Sequence, residues 1–468
     1  MSLFTRIIEP RKSIPLSRQV YSTRDLMKMM WPLMTEQLLQ MIVGIADTMI
    51  VSHAGEAAIS GVSLVATLYT VALYVFTALG VGGAVIISQY LGSGQSRKAE
   101  EATAQLYRLS AFISLALMII TLVFGPTILH GLYWKVTPEI MQAAETYLFI
   151  LSFSLPMNAL YNAGAAMFKS NGLMRTAMYI SIAINLINIV GDLIGVFVLH
   201  AGVAGLAWPT TISWAVAMLI ITGLSMKKKE GKTTLRMADL QRNISTVEKQ
   251  ILHVAVPNML ENGLFQVAKV VLAGVIATFG TAQLAANGIG QPIWNLSALI
   301  GISVGAAYTT VVGSMTGSGD MEAAEYYLWK LTRCTIVLST IWNLALTLAL
   351  PLILLVYDAS AEVKALVISA TILHNIFTAF VSPQAQAMPS GFKAAGDVKY
   401  PLVTALICTC GIRVAFTFLL GVGLGMGLMG YMWALCIDWS VKAVLMVIHA
   451  GRGSWKNKRI ISYAGNEQ

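Results

Sequence analysis

The apolar residues of this chain are gathered into long runs, and short polar segments separate one run from the next. A helix needs about 20 mostly apolar residues to cross the hydrocarbon core of a bilayer. The runs that are long enough cover residues 27–52, 58–90, 103–130, 140–167, 175–199, 203–226, 249–278, 283–313, 326–356, 362–390, 399–422 and 427–450. The pattern therefore predicts an all-α integral membrane protein with twelve transmembrane helices.

The second half of the sequence nearly repeats the first half at one constant offset. The pairs that keep this offset include Pro32 and Pro257, Glu36 and Glu261, Gly55 and Gly280, Gly80 and Gly305, and Gly202 and Gly427. Each half holds six predicted helices, so both halves start on the same side of the membrane. The repeat is therefore parallel, with a pseudo-twofold axis along the membrane normal, as in two-lobed transporters.

The longest and most charged connection between predicted helices divides the two halves. The predicted division of the chain is a cytoplasmic N-terminal arm at 1–26, a first lobe at 27–226, a cytoplasmic linker at 227–248, a second lobe at 249–450 and a cytoplasmic tail at 451–468. The first lobe holds helices 1–6 and the second holds helices 7–12. These lobes are parts of one membrane protein, and we do not expect them to fold independently.

Composition and charge support a bilayer as the surroundings of this chain. The sequence is 56% hydrophobic and 11% charged, whereas a soluble domain averages about 25% charged residues. The net charge is +9, and the basic residues of the loops lie mainly on one side of the predicted membrane. The basic residues in the loops of the other side are Lys135 and Lys364. This asymmetry predicts cytoplasmic termini in a multi-pass protein of the cell inner (plasma) membrane. It does not predict a nucleic-acid partner.

Several short segments have a recognisable pattern. They are Gly44-Ile45-Ala46-Asp47-Thr48, Ser88-Gln89-Tyr90-Leu91-Gly92-Ser93-Gly94, Asn188-Ile189-Val190-Gly191-Asp192, and Pro257-Asn258-Met259-Leu260-Glu261 followed by Phe265, Gln266 and Lys269. Together with the twelve-helix repeat, the chain resembles the multidrug and toxic compound extrusion (MATE) transporters. The last segment resembles the bacterial branch that includes DNA-damage-inducible members.

This resemblance implies a secondary active antiporter that works by alternating access. Such a protein exports amphipathic, cationic small molecules or drugs in exchange for Na⁺ or H⁺. The expected partners are the small-molecule substrate and the lipid bilayer, the expected assembly is a monomer, and no cofactor is expected beyond the coupling ion.

Ionisable residues inside predicted spans point to where that ion binds, because each costs at least about 2.5 kcal/mol to place in the membrane. Asp47 lies deep in helix 1, and its counterpart in the second half is Leu272, so packing alone does not require a carboxylate there. Asn185, Asn188 and Asp192 share one face of helix 5. Such a face suits a hard cation with oxygen ligands, a proton-exchanging carboxylate, or helix packing through polar side chains.

The family resemblance carries a specific set of ion-site residues onto this sequence. The family's first-lobe cation site uses an Asp on helix 1, an Asn and an Asp one turn apart on helix 5, and a Thr on helix 6. Asp47, Asn188 and Asp192 match this set, and a monovalent cation is expected at these three residues. Thr210 is the expected fourth member, with Thr211 as a close rival.

The second half offers a polar site of its own, formed by Glu261, Lys269 and Arg413. Glu261 and Lys269 share a face of helix 7, and Arg413 falls at or beside the repeat position of Asn188. On helix 12, Asp438 and Lys442 are spaced for a pair at i, i+4. The competing interpretation is a set of salt bridges inside the lobe that neutralise buried charge.

Other functions remain open from sequence alone. A related flippase of lipid-linked saccharides would share the fold, although the few basic residues inside the spans argue against a polyanionic cargo. Export of an endogenous metabolite is equally compatible with the sequence. A membrane enzyme is disfavoured because no catalytic residues cluster near a membrane face, and a channel is disfavoured because a two-lobe repeat implies alternating access.

Overall fold

The computed structural model describes residues 7–10, 12–53, 55–227, 232–242, 244–458 and 460–461. Parts of the predicted arm, linker and tail lie outside these ranges. Among the basic residues that predict the topology, those outside the described residues are Arg6, Arg11, Lys228, Lys229 and Arg459.

The first half of the described chain forms six helices in the predicted order. They are α1 (Thr23–Ser52), α2 (Glu56–Gly92), α3 (Ser96–Leu132), α4 (Pro138–Ser152 and Ser154–Ser170), α5 (Met174–Leu193, continued by the π-helical turn Ile194–Val198) and α6 (Ala204–Met226). The predicted third helix begins seven residues too late, because the first turns of α3 are charged and lie outside its apolar run.

The second half repeats this order. Its helices are α7 (Ser245–Ala277), α8 (Thr281–Ser303 and Gly305–Ser318), α9 (Met321–Leu354), α10 (Ala361–Phe380, the π-helical turn Pro383–Ala387 and Met388–Ala394), α11 (Lys399–Ala405, Leu406–Arg413, Val414–Phe416 and Thr417–Gly423) and α12 (Gly427–Arg452). Two of the four segments of α11 are π-helical, so this helix departs furthest from a regular α-helix.

Length and composition suit most of these helices to a membrane. Within the described residues, ten of them, all except α1 and α4, are long and apolar enough to span one. The helix α4 is divided at Phe153 into segments of 15 and 17 residues. The helix α1 is long, but it carries Glu36 and Asp47 among further polar residues. The fold is all-helical, as predicted.

The duplication is visible in where the helices begin. The helices α2 and α8, α3 and α9, and α5 and α11 each start at positions separated by the offset of the sequence repeat. Gly55 before α2 has φ +102°, and Gly280 before α8 has φ +101°. A side chain with a Cβ atom is strained at such φ values, so the same turn requires glycine in both halves.

Contacts between Cα atoms divide the chain into two compact units. One comprises Thr35–Val256, and the other comprises Met1–Met34 together with Pro257–Gln468. Both boundaries lie inside a helix, at or within two residues of the duplicated prolines Pro32 and Pro257. The predicted lobe boundaries, which were placed between helices, stay a prediction.

The segment before α1 packs against α9, within the second of these units. The Glu9 carboxylate accepts hydrogen bonds from Lys330 Nζ at 2.7 Å and from Tyr326 Oη at 2.6 Å. Arg18 binds Asp320, the residue that caps the start of α9, through two guanidinium nitrogens. The described part of the N-terminal arm is therefore held on α9 by charged contacts.

The segment before α7 packs in a corresponding way against α3, within the other unit. Asp239 is buried and accepts from both terminal nitrogens of Arg97, each at 2.6 Å. Arg236 Nε lies 2.8 Å from Glu100, and Gln105 donates to the backbone oxygens of Asp239 and Arg242. Because α3 and α9 are repeat counterparts, the duplication extends to the polar segments that precede α1 and α7.

Acid should release the arm from α9. The Arg18 guanidinium beside Asp320 holds the pKa of that carboxyl below its usual range. A lowered pKa stabilises the folded contact above the ordinary carboxyl range, and this contribution is lost as the pH falls through it. We expect residues 12–22 to exchange amide hydrogens faster near pH 3 than at pH 7, after correction for intrinsic exchange. Asp320→Asn should show the faster exchange already at pH 7, and equal protection of the two proteins at pH 7 would contradict this account.

Candidate functional site

The candidate ion site depends on a close approach of α5 and α6. A Cβ atom built on Gly205 would lie 2.6 Å from the backbone oxygen of Gly195, and one built on Gly191 would lie 2.6 Å from Cβ of Pro209. Only glycine allows the two backbones to come this near. The polar residues on the facing sides of both helices are thereby brought within hydrogen-bonding distance.

Asn188 lies at the centre of the polar cluster. Its Nδ2 atom donates to Asp192 Oδ2 and to Thr210 Oγ1, at 3.2 Å in each case. Thr211 faces elsewhere, because its hydroxyl donates to the backbone oxygens of Ala207 and Ile150. The geometry therefore favours Thr210 over Thr211 as the helix-6 member of the predicted set.

The two aspartates of the predicted set come together in the same cluster. The carboxyl of Asp47 on α1 lies within interaction range of the carboxyl of Asp192 on α5. Tyr147 on α4 lies within electrostatic range of both carboxyls. Sequence reasoning missed Tyr147, because nothing in its helix distinguishes it from a tyrosine that only packs. The structure thus brings Asp47, Asn188, Asp192 and Thr210 together, and their role in ion binding stays a prediction.

The cluster has unused capacity to bind a cation. The Oδ1 atoms of Asp47 and Asp192 are buried, and neither accepts a hydrogen bond from the described residues. The Asp192 side chain is almost fully buried, at 2% exposure. Buried carboxylates need a partner, and carboxylate, amide and hydroxyl oxygens are ligands for hard cations. Among the described residues there is no group of three or more His, Cys, Asp or Glu side chains that could hold a metal ion.

Glu261 in the second half is an ion-pair partner rather than an open carboxylate. Its carboxylate oxygens lie 2.7 Å from Lys393 Nζ and 3.7 Å from Lys442 Nζ. Lys393 also donates to Asn258 at 2.7 Å. Lys269 is exposed and does not join this cluster among the described residues.

The same ion pair occurs in the first half. Lys169 Nζ lies 3.0 Å from Glu36 Oε1. Glu36 and Glu261 are repeat counterparts, and Lys169 and Lys393 occupy matching places one residue out of register. An interaction that both halves keep serves the shared scaffold, which agrees with the interpretation of Glu261 as architectural.

The predicted pair of Asp438 with Lys442 is wrong. Asp438 is bound by Arg413 from α11, whose Nε lies 2.8 Å from Asp438 Oδ2. Lys442 reaches Glu261 instead. The spacing on α12 correctly places both residues near one face, but neighbouring helices supply closer partners. Glu261 and Arg413 therefore have different ion-pair partners, and Lys269 is exposed; a shared polar site formed by these three residues stays a prediction.

Comparison with known proteins agrees with the fold and with its duplication. The MatE family model matches residues 32–194 and 257–419. The starts of the two matched segments, and likewise their ends, are separated by the offset of the sequence repeat. The chain belongs to the MatE family. This is a family of membrane transporters, so the chain is a multi-pass transport protein and not an enzyme.

Individual relatives of this MatE-family chain match along nearly its whole length. The uncharacterized transporter YisQ of Bacillus subtilis is 25% identical over 449 residues, covering 93% of this chain and 95% of that protein. The probable multidrug resistance protein NorM of Thermotoga maritima is 26% identical over 475 residues, covering 98% of each. A MOP superfamily transporter from Pyrococcus furiosus has the same fold, with a TM-score of 0.83 at 21% identity over 92% of this chain and 95% of that one.

The close approach of α5 and α6 can be tested with a single methyl group. In Gly191→Ala the new Cβ meets Pro209 and must push the helices apart, so we expect a stability loss of about 1–3 kcal/mol and weaker contact between Asn188 and Thr210. The measurement is the thermal unfolding midpoint of the purified protein in detergent. Gly223→Ala is the matched control, because its Cβ would meet nothing within 4 Å. Equal midpoints for the two variants would show that the close approach is not required.

Proposed function

We propose that this MatE-family protein exports amphipathic, cationic small molecules in exchange for Na⁺ or H⁺ by alternating access. The observation that carries the proposal is the pair of neighbouring carboxyls, Asp47 and Asp192. Each has a buried oxygen that accepts no hydrogen bond from the described residues. The name of the Thermotoga maritima relative, a probable multidrug resistance protein, supports drugs as the class of cargo.

The proposed coupling follows from the charge of this cluster. Two neighbouring carboxylates repel one another where little water can screen them, so a cation or a proton between them stabilises the pair. Its arrival would alter the packing of α1, α5 and α6, on which the four residues lie. An ion can bias two access states only if it binds one of them more tightly. The bound ion and the cargo would then favour different states.

Finer assignments are part of the same proposal. The segment from Pro257 to Lys269 supports the branch that includes DNA-damage-inducible members. The distribution of basic residues supports a plasma-membrane location with both termini in the cytoplasm. We further propose that the protein acts as a monomer.

A flippase of lipid-linked saccharides gains little support from the structure. A polyanionic cargo requires basic side chains that are free to bind it. Arg413 is neutralised by Asp438, and Lys393 and Lys442 are engaged by Glu261. Lys269 is exposed within α7, and a single lysine there is a weak site for several negative charges.

Dye transport in proteoliposomes tests the proposal. With a cationic dye as cargo, an imposed Na⁺ gradient or an imposed pH gradient should drive transport by the wild-type protein, and the gradient that does so identifies the ion. Asp47→Asn and Asp192→Asn each remove a carboxylate, so we expect the gradient-driven rate to fall about tenfold or more. Glu56→Gln, an exposed carboxylate at the start of α2, is the control and should keep the wild-type rate. Wild-type rates in both Asn variants would reject the assignment of these two residues.

A further inference from the structure

Arg413 and Asp438 form a buried ion pair between α11 and α12. The Arg413 side chain is 7% exposed and the Asp438 side chain is fully buried. Two guanidinium nitrogens bind a single carboxylate oxygen, Oδ2, while Oδ1 accepts no hydrogen bond from the described residues. The ring of Phe265 lies 5.6 Å from the guanidinium carbon and covers it. Among the described residues, Arg413 is therefore the side chain that hydrogen-bonds this carboxylate.

In the sequence repeat, this ion pair corresponds to the candidate ion site of the first half. Arg413 is the counterpart of Asn188, and Thr417 is the counterpart of Asp192. The Thr417 hydroxyl donates to the backbone oxygen of Arg413 at 2.7 Å, so it is satisfied within its own helix. Leu272, the counterpart of Asp47, is buried in an apolar cluster. Where the first half has two carboxylates and an amide, the second half has one carboxylate and a guanidinium.

A guanidinium and a coupling ion do the same electrostatic work at a buried carboxylate. Both supply the positive charge without which a carboxylate is costly to bury in a spanning segment. They differ in one respect, because an arginine side chain is attached to the chain and does not lose its proton in proteins. A carboxylate that it holds cannot exchange its partner with either side of the membrane.

We propose that Arg413 is a built-in substitute for the coupling ion, so that the second lobe binds no ion and ion binding is confined to the first lobe. This inference rests on the proposed function for the site at Asp192. It makes Arg413 a residue that determines ion stoichiometry, with one ion-binding site in each chain. Removing Arg413 should turn Asp438 into a second, artificial site for Na⁺ or H⁺.

The test measures how thermal stability depends on added cations in variants whose first-lobe ion site has been disabled. All variants carry Asp47→Asn and Asp192→Asn, and the thermal unfolding midpoint is recorded with sodium chloride against choline chloride, and across a pH series. With Arg413 intact we expect no shift with Na⁺ and only the pH dependence that all variants share, which includes the loss of the Arg18–Asp320 contact in acid. Adding Arg413→Met should create a shift of several degrees, with higher midpoints on adding Na⁺ or lowering the pH. Adding Asp438→Leu to Arg413→Met should abolish it and leave an apolar, folded protein.

Other titratable groups around the pair are constant across these variants. They are His374 on α10, Cys408 on α11, Tyr431, Cys436 and Lys442 on α12, and Glu261 on α7, which pairs with Lys442. Any response that they cause persists when Asp438 becomes Leu, so the comparison isolates the carboxylate. A folded Arg413→Met variant without a cation response would show that the pair only joins α11 to α12, and would overturn the inference.

A second measurement needs no Arg413 variant. Equilibrium binding of radioactive Na⁺, or proton release on dye binding, should show one ion for each wild-type chain and none for Asp192→Asn. Two ions in the wild type, with one remaining in Asp192→Asn, would overturn the inference while leaving antiport intact. If ion binding in the wild type does not depend on Asp192, the proposed first-lobe site fails instead, and the response gained in Arg413→Met still tests the role of Arg413.

Discussion

Burying charge inside spanning helices is the constraint on which the arrangement of this molecule depends. A charged side chain in the hydrocarbon region is tolerated when a partner compensates it. Glu36 has Lys169, Glu261 has Lys393 and Lys442, and Asp438 has Arg413. Asp47 and Asp192 have no basic partner among the described residues. Compensation by lysine or arginine thus marks the structural pairs, and its absence marks the candidate ion site.

The duplication shows how one scaffold carries two different chemistries. Gly205 and Gly430 are repeat counterparts, and each allows a close approach: Gly205 to Gly195 on α5, and Gly430 to Gly421 on α11. The backbone crossing is therefore kept in both halves, because a Cβ atom at either glycine would overlap the facing backbone. Side chains beside the crossing are not bound by that restriction. Asn188 and Arg413 precede the α5 and α11 glycines of the crossing by seven and eight residues respectively, and their chemistry differs.

Local patterns in the sequence predict the parts of this structure that depend on one helix at a time. The helix order and the shared face of Asn188 and Asp192 follow from apolar runs and helical spacing, and the family resemblance adds Thr210. Contacts between helices are harder to predict, because spacing defines a face but not the neighbour opposite it. Lys442 therefore pairs with Glu261 on α7 rather than with Asp438 on its own helix, and Tyr147 gives no sequence signal. The break at Phe153 has a signal in the sequence, because Pro156 cannot donate the helical hydrogen bond to Ser152.

The difference between the two halves bears on where the proposed coupling ion binds. A transporter driven by an ion needs a charge whose partner changes during the cycle, and every other buried charge must keep its partner so that the fold survives. The duplicated Glu–Lys pairs meet the second requirement in each half. The positions of Asn188 and Arg413 divide the two requirements between the halves: an amide beside two carboxylates leaves the positive charge to come from solution, whereas a guanidinium beside one carboxylate supplies it permanently. The departure from symmetry is therefore the physical basis on which we propose an exchangeable charge in the first half.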